Sequence, residues 1–269
     1  MTIKEYVKAK KLEMKDLVLS MPRLPKLVIV QINEDEASYA YIRGKLKDAA
    51  ELGINAELGI NAELIKLPLE TTQEELLKKI DELNHDDSVD GFIVQMPLPK
   101  HINEEDVKLA ISPSKDVDGF HPLSKLDPCT PRGIMNYLNS EKVQIQGRNA
   151  VVIGRSNIVG KPMARLLLAA NANVTVLHSK TSFEDMSRYI ANADIIVIAI
   201  GKANFLDNRF AYKESAVIVD VGINRLEDGL HGDAVRDLPV ALQTPVPGGV
   251  GLLTRLALYE NLLTIIENK

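Results

Sequence analysis

Short apolar runs alternate with longer stretches whose apolar residues recur at helical spacing, from one end of the 269-residue chain to the other. That alternation predicts parallel α/β layers. In the first half it predicts a helix over 3–20, strand Lys26 to Ile32, helix Ala37 to Leu52 and strand Ala62 to Leu67. Helix Thr72 to Leu83, strand Gly91 to Met96 and helix Glu104 to Ile111 follow. The Pro-rich stretch Pro113 to Pro131 has no periodic segment and reads as a domain connection or cleft wall. Strands are then predicted at Ala150 to Ile153, Asn173 to Leu177, Asp194 to Ile200 and Ala216 to Val221. Their helices are Gly160 to Asn171, Phe183 to Asn192 and Asn204 to Lys213. A final amphipathic helix, Leu252 to Glu267, is expected to pack back on the first domain and close a cleft between the two.

Composition narrows the class. The length suits one large or two ordinary domains, and 45% hydrophobic with 26% charged residues is ordinary for a globular protein. A net charge of -5 without a dense basic run argues against nucleic acid. No run approaches a membrane span, and Met1 to Tyr6 mixes charges with no apolar signal core. The single cysteine, Cys129, excludes an internal disulfide, and the five histidines lack ligand spacing, so no metal is expected. The expectation is a cytoplasmic metabolic protein. One local feature is a tandem duplication: Glu51 to Ala56 is repeated at once as Glu57 to Ala62. Its two glycines offer the helix two stops, with the other copy looped out.

The most informative segment is Asn149 to Pro162. A short apolar run breaks at Gly154, and helix formers resume after Gly160. A strand, tight turn and helix start of this kind offer backbone N–H groups to a phosphate, although the spacing is a loosened form of G-x-G-x-x-G. The next strand ends in His178-Ser179-Lys180-Thr181, where an NAD site usually carries an acid for the ribose 2′-OH. With Arg155, Ser179 and Lys180 there instead, a 2′-phosphate is the better guest, so the cofactor is read as NADP. Taken alone, the segment also fits a doubly wound domain that binds a mononucleotide or nothing.

Four further features carry candidate chemistry, each with a plain alternative. Tyr41 and Lys45 lie four apart on one helix face, which is also how a solvated lysine covers a half-buried ring. Gln95 ends a buried strand at the edge where open sheets bind ligands, or it is a capping amide. Asp118 could be an ordinary turn residue. Pro245 to Gly251, with five Gly or Pro in seven, suggests backbone approaching a ligand closely, or a rigid loop.

In combination and in order, these motifs resemble one family. Tyr41-x-x-x-Lys45, Val94 to Pro99, Lys115 to Pro122, Pro128 to Pro131, Gly154 to Pro162, His178 to Thr181 and Pro245 to Gly251 are similar to the bifunctional methylenetetrahydrofolate dehydrogenase/methenyltetrahydrofolate cyclohydrolase family, FolD in bacteria. The resemblance runs from the first helix to the last. It implies two α/β domains, the second a Rossmann-like doubly wound parallel sheet. The folate domain would be 1–131 completed by 252–269, and the NADP domain 132–251.

By that resemblance Lys45 is the catalytic lysine, Gln95 its companion, Asp118 the pterin-binding aspartate and Tyr41 the ring that stacks on folate. Gly154, Arg155, Ser156 and Ser179 contact NADP, with Ile223 beside the nicotinamide. Pro247, Gly248, Gly249 and Val250 are expected to line the substrate. The implied partners are tetrahydrofolate derivatives and a second copy in a homodimer. The chain departs from the family pattern at Asn33 to Ser38, in the duplication, at Leu252-Leu253, and in the loop after Pro122, shorter by roughly ten residues. Two rival readings are a different two-domain NADP dehydrogenase, and a catalytically impaired relative that binds folate and NADP.

Overall fold

The computed structural model describes residues 1–33, 36–52 and 61–268. The chain divides into two compact units, Lys8–Cys129 with Arg255–Lys269, and Met1–Val7 with Thr130–Thr254.

The first unit is built on three parallel strands in the order β2-β1-β3. Helix α1 (Ile3–Leu19) precedes β1 (Lys26–Gln31), followed by α2 (Glu36–Glu51) and β2 (Asn61–Lys66). Helix α3 (Gln73–His85), β3 (Gly91–Val94) and α4 (Glu104–Ala110) complete the run. Strand β1 is central because its apolar residues face both ways: Leu27, Val28, Ile29 and Val30 are all buried, as expected for parallel sheets covered on both faces. On one face Val28 and Val30 pack with Ile80 of α3 and Val107 of α4. Helix α3 starts where it does because Thr72 and Glu75 form a capping box; Thr72 Oγ1 accepts from Glu75 N at 3.2 Å. The duplication falls mostly on residues outside those described. Only Glu51 and Leu52, at the end of α2, and Asn61 and Ala62, opening β2, lie within them.

The second unit begins with α5 (Cys129–Ser140) and β4 (Asn149–Ile153). Helix α6 (Gly160–Ala169), β5 (Asn173–Leu177), α7 (Phe183–Asn192), β6 (Ile195–Ile198) and β7 (Val217–Asp220) follow. A small antiparallel hairpin, β8 (Asn224–Leu226) and β9 (Gly229–His231), precedes β10 (Leu242–Gln243) and the C-terminal helix α8 (Val250–Glu267), which from Arg255 on belongs to the first unit. The parallel five-stranded sheet has the order β10-β7-β6-β4-β5. The chain passes from β4 to β5 on one side and returns to β6 on the other. The reversal point lies at the carboxyl ends of β4 and β6, where Ile153 pairs with Ile198. That is where open α/β sheets hold ligands.

Two expectations need correction. The helix predicted over Asn204 to Lys213 does not form. Asn204 takes a left-handed φ of 56°, and Leu206 instead bridges in parallel to Ala234, accepting from Val235 N at 2.8 Å. Buried Leu206 and Phe210 gain more from that core than from helical spacing. Conversely, α5 forms across the last residues of the Pro-rich stretch and on to Ser140, where no element was predicted. Its proline, Pro131, sits in the first turn, where a missing N–H costs nothing.

Candidate active site

Lys45 is the most unusual side chain of the first unit. It is a lysine at 3% exposure, in a residue class almost never buried without partners. Helix α2 carries Tyr41 and Lys45 on one face, and the amine lies 4.9 Å from the centre of the Tyr41 ring. The Lys45 Nζ donates to Gln95 Oε1 at 3.0 Å. Gln95 follows β3, where its N–H donates to Val30 O at 2.8 Å. Its own amide nitrogen donates to Met96 O at 2.7 Å, which fixes the flip that turns the oxygen toward Lys45. Burial pushes the Lys45 pKa down; the negative charge of Asp118 opposes that shift, and Arg255 adds to it. Asp118 is half-buried, and desolvation pushes its carboxyl up against the attraction of Lys45. The structure therefore brings Tyr41, Lys45, Gln95 and Asp118 together.

Several residues that sequence reasoning passed over hold this group in place. Asp116 is buried and accepts from Gly119 N at 3.0 Å and His121 N at 2.8 Å, shaping the turn that presents Asp118. Burial is the main reason its carboxyl is pushed up to about 6. Asn261 of α8, fully buried, donates to Val117 O at 2.8 Å and Asp127 O at 3.1 Å, so it ties down both sides of the Asp118 loop. The Tyr259 hydroxyl donates to the Lys45 carbonyl. Arg255 pairs with Asp48 at 3.0 Å, and its guanidinium lies against α2 where a Cβ on Gly44 would stand. Asn261 left a trace in the sequence, as a polar residue within the apolar run Leu256 to Ile266. The Arg255–Asp48 pair left none.

The remaining candidates belong to the second unit. Gly154 follows β4 with a φ of 126°, and a Cβ there would collide with Ala199 O at the end of β6. A Cβ on Gly160 would collide with the Gly154 backbone in the same way. These two glycines leave a bare backbone turn at the start of α6, a cradle that fits a pyrophosphate. Arg155 and Ser156 are exposed beside it. The Ser156 hydroxyl accepts from Val159 N at 3.1 Å and Gly160 N at 3.2 Å, so it also caps α6. Ser179 and Lys180 are exposed past the end of β5, and no acid stands at that strand end. Ile223 is 60% exposed after β7, an apolar surface open to a ring. Gly248 has a φ of 91°, and a Cβ on Gly249 would collide with Pro245 O, so the Pro245–Val250 backbone turns tightly with Pro247 exposed. Among the described residues no group of His, Cys, Asp or Glu could hold a metal ion, and no helix is long and apolar enough to cross a membrane.

Comparison with known proteins decides the family. Residues 1–118 match "Tetrahydrofolate dehydrogenase/cyclohydrolase, catalytic domain", and residues 128–269 match the "NAD(P)-binding domain" of the same family. The chain belongs to the tetrahydrofolate dehydrogenase/cyclohydrolase family. The bifunctional protein FolD of Campylobacter concisus is 48% identical over 281 aligned residues, covering 99% of this chain and 94% of that protein. The crystal structure of the Campylobacter jejuni FolD superposes with a TM-score of 0.91 at 40% identity, covering 98% of this chain and 97% of that one. The Trypanosoma brucei enzyme, complexed with NADP cofactor and inhibitor, gives 0.93 at 31% identity, covering 100% of this chain and 97% of that one. Membership of this family disposes of the rival reading as an unrelated two-domain dehydrogenase.

Proposed function

We propose that this family member oxidises 5,10-methylenetetrahydrofolate with NADP to the 5,10-methenyl cation and hydrolyses that cation to 10-formyltetrahydrofolate. The observation that carries the reading is a buried Lys45 amine, held by the neutral Gln95 and lowered in proton affinity by its surroundings. Such an amine reaches its neutral, proton-accepting form at lower pH than an ordinary lysine does. In this reading the folate domain is 1–131 with 252–269, and the NADP domain is 132–251.

Each role follows from residue chemistry. The Asp118 carboxylate pairs with the amino-pyrimidine edge of the pterin, a bidentate charged contact that fixes orientation. Tyr41 stacks on the folate. Lys45 removes a proton from the attacking water, and Gln95 aims the amine without adding charge. Pro247, Gly248, Gly249 and Val250 line the substrate. Gly154, Arg155, Ser156 and Ser179 hold NADP, with Ile223 against the nicotinamide. When bound, NADP supplies the hydride acceptor, so the protein need only align the two reactants for that step.

The test is one progress curve: the chain with NADP and methylenetetrahydrofolate yields NADPH first and then loss of the methenyl absorbance. NADP binding without turnover would favour the impaired relative instead. Cofactor choice has its own test. Arg155→Ala is expected to raise the NADP Michaelis constant by about 10- to 100-fold, a charged hydrogen bond being worth ~1.5–3 kcal/mol, and the NAD constant far less. Equal effects on both cofactors would release Arg155 from the 2′-phosphate.

The enzyme is also proposed to act in the cytoplasm as a homodimer. Strand β5 supports the dimer: among the described residues it is an outer strand paired only with β4, and Val176 upon it and Leu168, Phe183 and Tyr189 from the flanking helices are exposed. Free apolar edges of this kind are commonly covered by a second chain. Sedimentation velocity distinguishes dimer from monomer.

A further inference from the structure

The end of β6 turns through Ile200, Gly201 and Lys202, with Gly201 at a φ of 64°. Consecutive N–H groups turned inward in this way form a concavity that attracts anions, as phosphate loops do. Here the protein fills it with a carboxylate of its own. Asp233, fully buried, accepts from Ile200 N at 2.7 Å, Gly201 N at 3.0 Å and Lys202 N at 2.7 Å. Its other tie is to Asn224, whose side-chain amide donates to Asp233 Oδ1 at 3.0 Å.

A second carboxylate fixes the first. Asp220, at the end of β7, accepts from the backbone N–H groups of Asp233, Ala234 and Gly222, each at 2.9 Å. The glycines on either side are required by this pair: a Cβ on Gly222 would strike the Asp233 carboxylate, and one on Gly232 would strike that of Asp220. Ile223 therefore stands between two anchored neighbours, with Gly222 held by Asp220 and Asn224 by Asp233. The same Asp233 holds the backbone that follows Ala199, against which Gly154 is packed.

We propose that Asp233 is a positioning residue of the dinucleotide site, locking the β6 end beside Gly154 and the Ile223 loop into one arrangement. The carboxylate does not touch the cofactor. It occupies the anion-attracting turn after β6, which leaves the Gly154–Gly160 turn as the place for the pyrophosphate. It also holds Ile223 at the height of the ring that Ile223 is proposed to face. Hydride transfer depends on that alignment, whereas methenyl hydrolysis does not use the cofactor, so the two activities separate the effects. The inference rests on the proposed placement of NADP at Gly154 and Ile223.

Asp233→Asn keeps the shape but replaces a charge acceptor of four donors by an amide with one oxygen. The expected result is an NADP dissociation constant about 10- to 100-fold weaker by calorimetry, as loss of charged hydrogen bonds implies. Faster hydrogen exchange at the Ile200, Gly201 and Lys202 amides should accompany it in the cofactor-free protein, with methenyl hydrolysis unchanged. Wild-type NADP affinity and amide protection would overturn the proposal, as would equal loss of both activities in a folded variant. Should Asp233→Asn fail to fold, Asn224→Leu decides, since it removes one tie and leaves the carboxylate. A weakened NADP constant with intact hydrolysis supports the proposal, and a wild-type constant overturns it. Gly154→Ala tests the underlying placement separately: if it leaves NADP binding untouched, the cofactor site itself is misassigned. If Gly154→Ala weakens binding and Asp233→Asn does not, only the role of Asp233 falls.

Discussion

Lys45→Met is expected to reduce methenyltetrahydrofolate hydrolysis by about 10²- to 10⁴-fold, the usual contribution of general acid–base help. NADP-dependent oxidation should remain measurable, and the methenyl species should accumulate. The asymmetry comes from the two chemistries. Hydride passes directly from the methylene carbon to the nicotinamide, so oxidation asks this side chain for packing and electrostatics. Hydrolysis must take a proton from the attacking water and manage protonation at the ring nitrogen as it opens. Methionine retains most of the lysine stem in its buried place under Tyr41 and deletes only the amine that meets Gln95.

The pH profile carries the same argument with a definite sign. The neutral amine is the base, so hydrolysis rises as pH climbs through the Lys45 pKa. Burial lowers that pKa, which places the limb below the ordinary lysine value of about 10.4. In Lys45→Met the limb vanishes with the rate. Wild-type hydrolysis in this variant would return the Tyr41–Lys45 pair to a structural role.

Asp118→Ala is expected to impair both reactions together, by about 100-fold in kcat/KM for each, because one bound folate serves both and a charged pair is worth ~1.5–3 kcal/mol. NADP affinity, measured by calorimetry, should stay at the wild-type value, since Asp118 lies in the unit that carries Lys45 and Gln95 and not in the one that carries Gly154. The raised carboxyl of Asp118 adds a condition. Pairing with the pterin edge requires the ionised form, so folate affinity should weaken toward acid pH in the wild-type enzyme. An Asp118→Ala enzyme with normal kinetics in both reactions would leave this residue as a turn former held by Asp116 and Asn261.

Much of this protein was legible in the chain because local chemistry decided it. Strands such as Lys26–Gln31 and Ile195–Ile198 are short apolar runs buried on both faces, and a parallel sheet is the arrangement that can cover them twice. The turn at Gly154 and Gly160 was visible because only glycine leaves that backbone bare. The family resemblance was carried by the order of such motifs, and the relatives matched along the whole chain bear it out.

What the sequence misjudged or passed over depends on partners far away along the chain. Asn204 to Lys213 has helical composition, but the bridge between Leu206 and Ala234 overrides it. Asp233 carries no local signal, and its part emerges only when three N–H groups from the end of β6 converge on it. Arg255 reads as a charge interrupting an apolar helix until Asp48 and the bare backbone at Gly44 receive it. The spacing of Tyr41 and Lys45 put both on one helical face by geometry alone. Whether that face was wet or dry rested on Gln95, Asp118 and the C-terminal helix closing around the amine. A lysine's proton affinity is set by the water it has lost and the charges brought near it. The sequence by itself determined the architecture and the identity of the candidate groups. Only the tertiary structure determined that one of those groups is a buried lysine whose proton affinity is lowered.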